Sequence, residues 1–155
     1  MKKERSQHAQ VASLAKKFCK GMGIAVKASS DSYSGGSSVR VVMHDQPPAI
    51  YKAIRAELSK YEYGRFDGMR DIYEYTNSRD DIPQVRFLFV DNEISDTMRQ
   101  KAWDFLKDTM AGYENAPIEY DPNWRTDREY ASTEVYRLFT GAYSNLSERF
   151  WSTIG

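Results

Sequence analysis

Cysteine and histidine are scarce in this chain of 155 residues, which holds one cysteine and two histidines. The single cysteine, Cys19, excludes an internal disulfide and any zinc site built from several thiolates. His8 and His44 lie far apart in the sequence and are interpreted as structural or surface residues. A cysteine nucleophile needs a histidine beside it, so we interpret Cys19 as a small buried side chain. We therefore predict no catalytic residue, no metal site and no cofactor.

Long apolar runs are also missing. No stretch approaches the ~18 consecutive apolar residues of a membrane-spanning helix. The N-terminal sequence MKKERSQHAQ is basic, but no apolar signal-peptide segment follows it. We expect no membrane contact and a cytoplasmic location.

Net charge is absent as well, because 22 basic residues balance 22 acidic ones. The balance is uneven along the chain. Residues 1–30 carry seven basic residues against Glu4 alone, a net charge of +6, which leaves −6 for the remainder. Lys16, Lys17 and Lys20 of the first predicted helix could face a nucleic-acid backbone or an acidic protein. A solvated helix face is the other interpretation.

Two periodicities predict the fold. Apolar residues recur at helical spacing over residues 6–20, 50–61, 95–111 and 133–152, and we expect Ser95 or Asp96 to cap the third of these helices. Alternating or short apolar runs predict strands over residues 24–29, 38–43, 69–76 and 84–90. The order α-β-β-α-β-β-α-α predicts an α+β fold, an antiparallel four-stranded sheet with helices packed mainly on one face. We expect one domain over 1–155 with a helical extension at 95–155, and Phe87 or Phe89 fully buried.

The segment SSDSYSGGSSVRVVM, residues 29–43, is the most unusual part of the sequence. We expect an open loop here, because the predicted strands are too far apart for a tight hairpin. Gly35 and Gly36 could let consecutive N–H groups form an anion nest, with Ser34 adding a hydroxyl. The loop opens a strand instead of a helix, however, and lacks the Gly-Lys-Ser/Thr ending of a phosphate loop. A contact loop, a nucleotide site and another ligand site stay open.

A second turn-rich segment contains Phe66, Asp67, Gly68 and Met69. We predict a turn in which Gly68 takes a positive φ and Asp67 accepts hydrogen bonds from nearby amides. Asp67 has no evident partner for acid catalysis.

Aromatic and basic residues alternate around this turn, and on a sheet such residues can stack single-stranded bases. Acidic residues in the same stretch would repel phosphate, so packing in a core with a polar rim is the preferred interpretation. The residues concerned are Lys60, Tyr61, Tyr63, Arg65, Phe66, Arg70, Tyr73 and Tyr75.

The motifs YSGGSSVRV, FDGM and DIYEY together resemble one family, the twenty-ninth of the large polyvalent protein-associated domains of phages and conjugative elements. The resemblance covers residues 23–92. It implies an α+β fold and a mobile-element origin, and it carries over no catalytic residue.

These observations favour a phage or mobile-element protein that modulates or inhibits a host factor by protein–protein contact, for example a factor of a defence or DNA-processing system. The alternatives are a nucleic-acid-binding module that uses the basic first helix, and an enzyme built around the Ser/Gly loop and Asp67. A host protein is the expected partner, and the oligomeric state stays open. Tyrosine and arginine dominate binding hot spots, and the predicted binding residues are Tyr33, Ser34, Gly35, Gly36, Arg40, Phe66 and Asp67.

Overall fold

The computed structural model describes residues 6–33, 36–70, 72–142 and 144–154; the side chains of Arg65, Phe66 and Ser144 are left out of that description. The chain divides into two compact units. One comprises Met1–His44 with Tyr51–Glu93, and the other comprises Asp45–Ile50 with Ile94–Gly155. The prediction of a single folding domain stays a prediction.

The first unit contains the strands of the protein. Strands β1 (Lys27–Tyr33), β2 (Gly36–His44) and β5 (Phe87–Glu93) form one sheet in the order β1-β2-β5. Strands β3 (Arg65–Asp67) and β4 (Ile72–Glu74) form a separate antiparallel pair. Together with the helices, these strands confirm the predicted α+β class.

The predicted antiparallel four-stranded sheet is not confirmed. In the described residues the larger sheet has three strands, with β1 antiparallel to β2 and β2 parallel to β5. The chain between β2 and β5 passes through helix α2 (Pro48–Leu58), and a crossover of this kind brings two strands together in parallel. The segment predicted as a strand over 69–76 forms β4, which pairs with β3 instead of joining the sheet.

The remaining α-helices are α1 (Gln7–Gly21), α3 (Asp96–Thr109), α4 (Ala131–Thr140) and α5 (Ser144–Ile154). Ser95 caps α3 by accepting a hydrogen bond from the Met98 N–H, which confirms one of the two predicted caps. The last predicted helix is divided in two. Gly141 ends α4 with φ of 79°, a left-handed conformation that glycine adopts without a steric penalty.

Side chains alternate between the two faces of the three-stranded sheet. Val39, Val41 and Met43 are fully buried, and α1, which contacts β1 and β2, buries Val11, Ala15 and Cys19. Burial of Cys19 confirms its interpretation as a core side chain. Between the buried valines, Arg40 points to the opposite face, where it is exposed.

Strand β5 contradicts the prediction that Phe87 or Phe89 is fully buried. Phe89 is 42% exposed and Phe87 is half-buried. The parallel register aligns Val90 with Val41 and Phe89 with Arg40, so Val90 joins the core and the phenylalanines lie on the open face. In addition, β5 is an edge strand of the described sheet rather than a central one.

The prediction of an open loop between β1 and β2 is also wrong. The two strands pair continuously from Lys27–Val42 to Tyr33–Gly36. Only Ser34 and Gly35 lie between them, and both are outside the described residues. Two residues of the predicted anion nest therefore fall outside the described part of the chain, and the third, Gly36, begins β2.

The second unit has its own aromatic core around Trp103, Tyr113 and Phe150. Glu134 is buried within this unit at 1% exposure. Its carboxylate accepts a hydrogen bond from the Tyr113 hydroxyl and lies 3.6 Å from the Arg128 guanidinium. These partners offset the cost of burying its charge. None of the helices in the described residues combines the length and apolar character that a bilayer crossing requires.

Candidate partner-binding surface

The open face of the three-stranded sheet continues onto the neighbouring β4 segment as a surface of tyrosine, phenylalanine and arginine side chains. We call it the aromatic–arginine face, and all of its residues belong to the first unit. Strand β5 contributes its two phenylalanines, β4 contributes Tyr73, and the chain before β3 and after β4 contributes Tyr63 and Tyr75. Its members are Tyr33, Arg40, Tyr63, Tyr73, Tyr75, Arg86, Phe87 and Phe89.

Five rings of this face follow one another in contact. Tyr75 stacks on Tyr63, with ring centroids 5.4 Å apart and planes 4° from parallel. Tyr73 meets both rings edge-on, at 5.2 and 5.8 Å. Tyr73 also meets Phe87 edge-on at 5.6 Å, and Phe87 lies alongside Phe89 at 6.2 Å. These are the separations at which aromatic rings attract one another, so the row is an ordered surface.

Two arginines lie over the rings. The Arg40 guanidinium carbon is 4.8 Å from the Phe89 centroid, and the Arg40 guanidinium donates a hydrogen bond to the Asp91 carboxylate. Arg86 lies 4.7 Å from the Tyr73 centroid and 5.4 Å from the Phe87 centroid. Cation–π attraction of this kind, worth about 0.5–1 kcal/mol at exposed sites, holds each cation at the surface of the row.

Gly36 is required beneath Arg86. A Cβ atom at this position would lie 2.7 Å from Arg86 Cδ, closer than side chains approach one another. A larger residue would therefore require the Arg86 side chain to shift. This contact gives Gly36, one of the predicted binding residues, an indirect part in shaping the surface.

The phenols of Tyr63 and Tyr73 are neutral at physiological pH, because the pKa of each is raised. Burial, and next the negative charge of Glu62, raise the pKa of Tyr73 to about 12. The Tyr73 hydroxyl donates a 2.6 Å hydrogen bond to the Arg86 carbonyl. Burial also raises the pKa of Tyr63, and Tyr75 and Tyr33 add to this shift. The face thus combines apolar ring area with uncharged hydroxyl donors and two guanidinium cations.

Part of this aromatic surface is open to solvent. Tyr75 is 67% exposed, Tyr33 is 46% exposed and Phe89 is 42% exposed. Aromatic side chains that touch one another and stay exposed indicate a contact site, because they present apolar area that a partner can cover. In the described part of the chain, His, Cys, Asp and Glu side chains do not gather in groups of three that could hold a metal.

The structure brings two predicted binding residues onto this face and gives a third, Asp67, a structural role. Tyr33 and Arg40 lie on it. Phe66 lies on β3, where its backbone pairs with Tyr73, and its side chain is outside the description. Asp67 has a structural role, because it accepts hydrogen bonds from the Met69 N–H at 3.0 Å and from Arg70 Nε at 2.8 Å.

The prediction that Asp67 accepts a hydrogen bond from a nearby amide is therefore confirmed. The prediction that Gly68 has a positive φ is wrong. Arg70 also bonds the Glu74 carboxylate, so it connects the end of β3 to the end of β4. This ion pair holds the turn without a left-handed glycine.

Sequence reasoning missed most of the ring row, although the signal was present. The preferred interpretation placed the aromatic stretch in a core, and the strand pattern assigned one phenylalanine of β5 to the buried face. The mixture of aromatic and basic residues over 60–75 was that signal, whereas the unbroken apolar run over residues 87–90 does not specify a face. The missed residues are Tyr63, Tyr73, Tyr75, Arg86, Phe87 and Phe89.

The basic residues of α1 form a separate surface. Lys16, Lys17 and Lys20 are exposed. Lys16 and Lys20 line an open groove of about 450 Å³ together with residues 23–26.

No family model, no curated protein and no solved structure matches the chain. The resemblance to the polyvalent protein-associated domains stays a prediction.

Proposed function

We propose that this protein is a non-enzymatic binding protein of phage or mobile-element origin that modulates or inhibits a host factor. The aromatic–arginine face is its contact surface, and the host factor is a protein of a defence or DNA-processing system in the host cytoplasm. The observation that carries the proposal is the row of five touching rings with two arginines over it, exposed at both ends.

The charges on this face favour a protein partner over a nucleic acid. Asp31, Asp91 and Glu93 lie on the same side of the sheet as Arg40, and Asp91 is bonded to Arg40. A nucleic-acid site needs an excess of positive charge along the phosphate path, because the phosphates dominate affinity. A surface with mixed charges, neutral phenols and arginines is typical of protein interfaces instead.

Affinity capture from bacterial lysate tests the proposal. Immobilised wild type should retain a host protein, and the double variant Tyr75→Ala with Phe89→Ala should lose it, because the exposed ends of the ring row are removed. Tyr136→Ala is the matched control, since Tyr136 is 65% exposed on α4 in the second unit. Retention of the same host protein by the double variant would remove the aromatic–arginine face from consideration.

The second candidate is nucleic-acid binding through the basic side of α1, which the groove beside Lys16 and Lys20 favours. Changing Lys16, Lys17 and Lys20 to Glu tests it. A nucleic-acid binder that makes three phosphate contacts there should lose affinity, and its log–log salt slope should fall by roughly 2–3. We expect DNA and RNA binding to be negligible in both proteins, and host-protein capture to be unchanged. Salt-dependent binding by wild type that the triple variant loses would favour the second candidate.

A further inference from the structure

The two edges of the three-stranded sheet differ in whether side chains bond the backbone groups of the edge strand. The outer edge of β5 is closed by side chains, because Glu62 Oε2 accepts a 2.7 Å hydrogen bond from the Leu88 N–H and the Tyr51 hydroxyl donates a 2.9 Å bond to the Val90 carbonyl. These hydrogen bonds use backbone groups that would otherwise be able to pair with another strand. At the other edge, β2 is the only strand neighbour of β1 in the described residues. The edge that is open to pairing is therefore that of β1.

Strand β1 has charged side chains, Lys27 and Asp31, but neither a proline nor a bulge to protect its edge. Natural edge strands are kept from pairing by a short length, charged side chains, a proline, a bulge or a covering segment. β1 has seven residues, KASSDSY, without proline, and its register with β2 runs without interruption. Six of the seven residues are exposed, and the side chains of Ala28, Ser29, Ser30 and Ser32 are small. The strand is long and regular enough for another strand to lie alongside it.

The charges of β1 are complementary between two antiparallel copies of the strand. If two copies meet in antiparallel fashion with Ser29 on the two-fold axis, Lys27 of each copy lies opposite Asp31 of the other. Each such dimer holds two of these pairs, and opposite charges across neighbouring strands stabilise a sheet. In the part of the chain that the structure describes, neither Lys27 nor Asp31 forms an ion pair. We propose that β1 pairs with β1 of a second copy, joining two sheets into one of six strands.

This pairing joins two aromatic–arginine faces. Lys27, Asp31 and Tyr33 point to the same side of the sheet as Arg40, because their register partners on β2 share its face. An antiparallel partner in this register continues each face across the axis. The dimer therefore presents two copies of the ring row on one side, and both could engage a partner with repeated sites. The self-pairing itself does not rest on the proposed function.

Sedimentation velocity with charge exchange tests the pairing. Interfaces below ~1,200 Å² are usually weak, so the concentration range should extend to about 500 µM. Wild type should dimerise reversibly within it. Lys27→Asp and Asp31→Lys should each raise the dimer dissociation constant about tenfold or more, because two attractive pairs become repulsive. The double variant Lys27→Asp with Asp31→Lys restores both pairs and should regain most of the affinity.

Lys17→Asp is the matched control, since it makes the same charge change at an exposed position of α1 and should leave the dissociation constant unchanged. Circular dichroism establishes that each variant is folded. A wild type that stays monomeric at about 500 µM, or a double variant that dimerises no better than the single ones, would overturn the proposal.

Discussion

At the scale of single residues, the Tyr73 hydroxyl links the stability of the first unit to pH. Its pKa of about 12 in the folded protein exceeds the ordinary value of 10.0, so the unfolded chain releases this proton first as the pH rises. The contribution of the Tyr73 proton to the free energy of unfolding is fully present below pH 10. This free energy should fall as the pH rises from 10 to 12. Tyr73→Phe should show a shallower fall over this window in urea denaturation.

The same variant separates two effects of the hydroxyl. At pH 8, Tyr73→Phe should cost ~1 kcal/mol, because the bond to the Arg86 carbonyl is lost. The pKa of Tyr63 is also raised, so some alkaline fall should remain in Tyr73→Phe. An unchanged slope between pH 10 and pH 12 would show that the Tyr73 proton is not linked to folding.

Residue identity predicted local features well where one side chain decides the geometry. Ser95 has a hydroxyl that can accept from the third amide of α3, and that bond is present at 3.1 Å. Asp67 accepts from an amide two residues later for the same local reason. The break at Gly141 was not predicted, because apolar periodicity runs through 133–152 and a glycine inside such a pattern is ambiguous.

At the scale of elements, the β3–β4 pair depends on the absence of a side chain at Gly64. A Cβ atom there would lie 2.0 Å from the Glu74 carbonyl oxygen, which is backbone and cannot move aside alone. Gly64→Ala should therefore cost about 1–3 kcal/mol in thermal denaturation and disturb the tyrosines that flank the pair. Gly68→Ala is the control, because no atom lies within 4 Å of its Cβ position and its φ is not positive. Equal melting temperatures for both variants would contradict this account of the pair.

The elements were predicted more reliably than their partners. The apolar runs of β2 and β5 indicated strands, but a run of apolar residues does not specify a face or a neighbour. Val85 to Val90 reads as a buried strand from its composition, whereas the register with β2 puts Phe89 beside Arg40 on the open side. Pairing depends on contacts between segments about fifty residues apart, which local periodicity does not contain.

At the scale of the whole molecule, the α+β class was predictable and the candidate site was predictable only in part. Tyr33 and Arg40 were singled out because of their residue types. The ring row was not predicted. It combines side chains from Tyr63 to Phe89 that only the folded chain brings together. Gly36 was identified as a loop residue and instead lies in β2 beneath Arg86.

The central claim is that the aromatic–arginine face binds the host partner. The most direct test is a calorimetric titration of the captured host protein with wild type, Tyr75→Ala and Tyr136→Ala. The two tyrosines match in type and are 67% and 65% exposed, but only Tyr75 belongs to the ring row. Tyr75→Ala should weaken binding about tenfold or more, a loss of ~1.4 kcal/mol or above, while Tyr136→Ala should stay at the wild-type affinity. Equal affinities for Tyr75→Ala and wild type, in correctly folded proteins, would contradict the account.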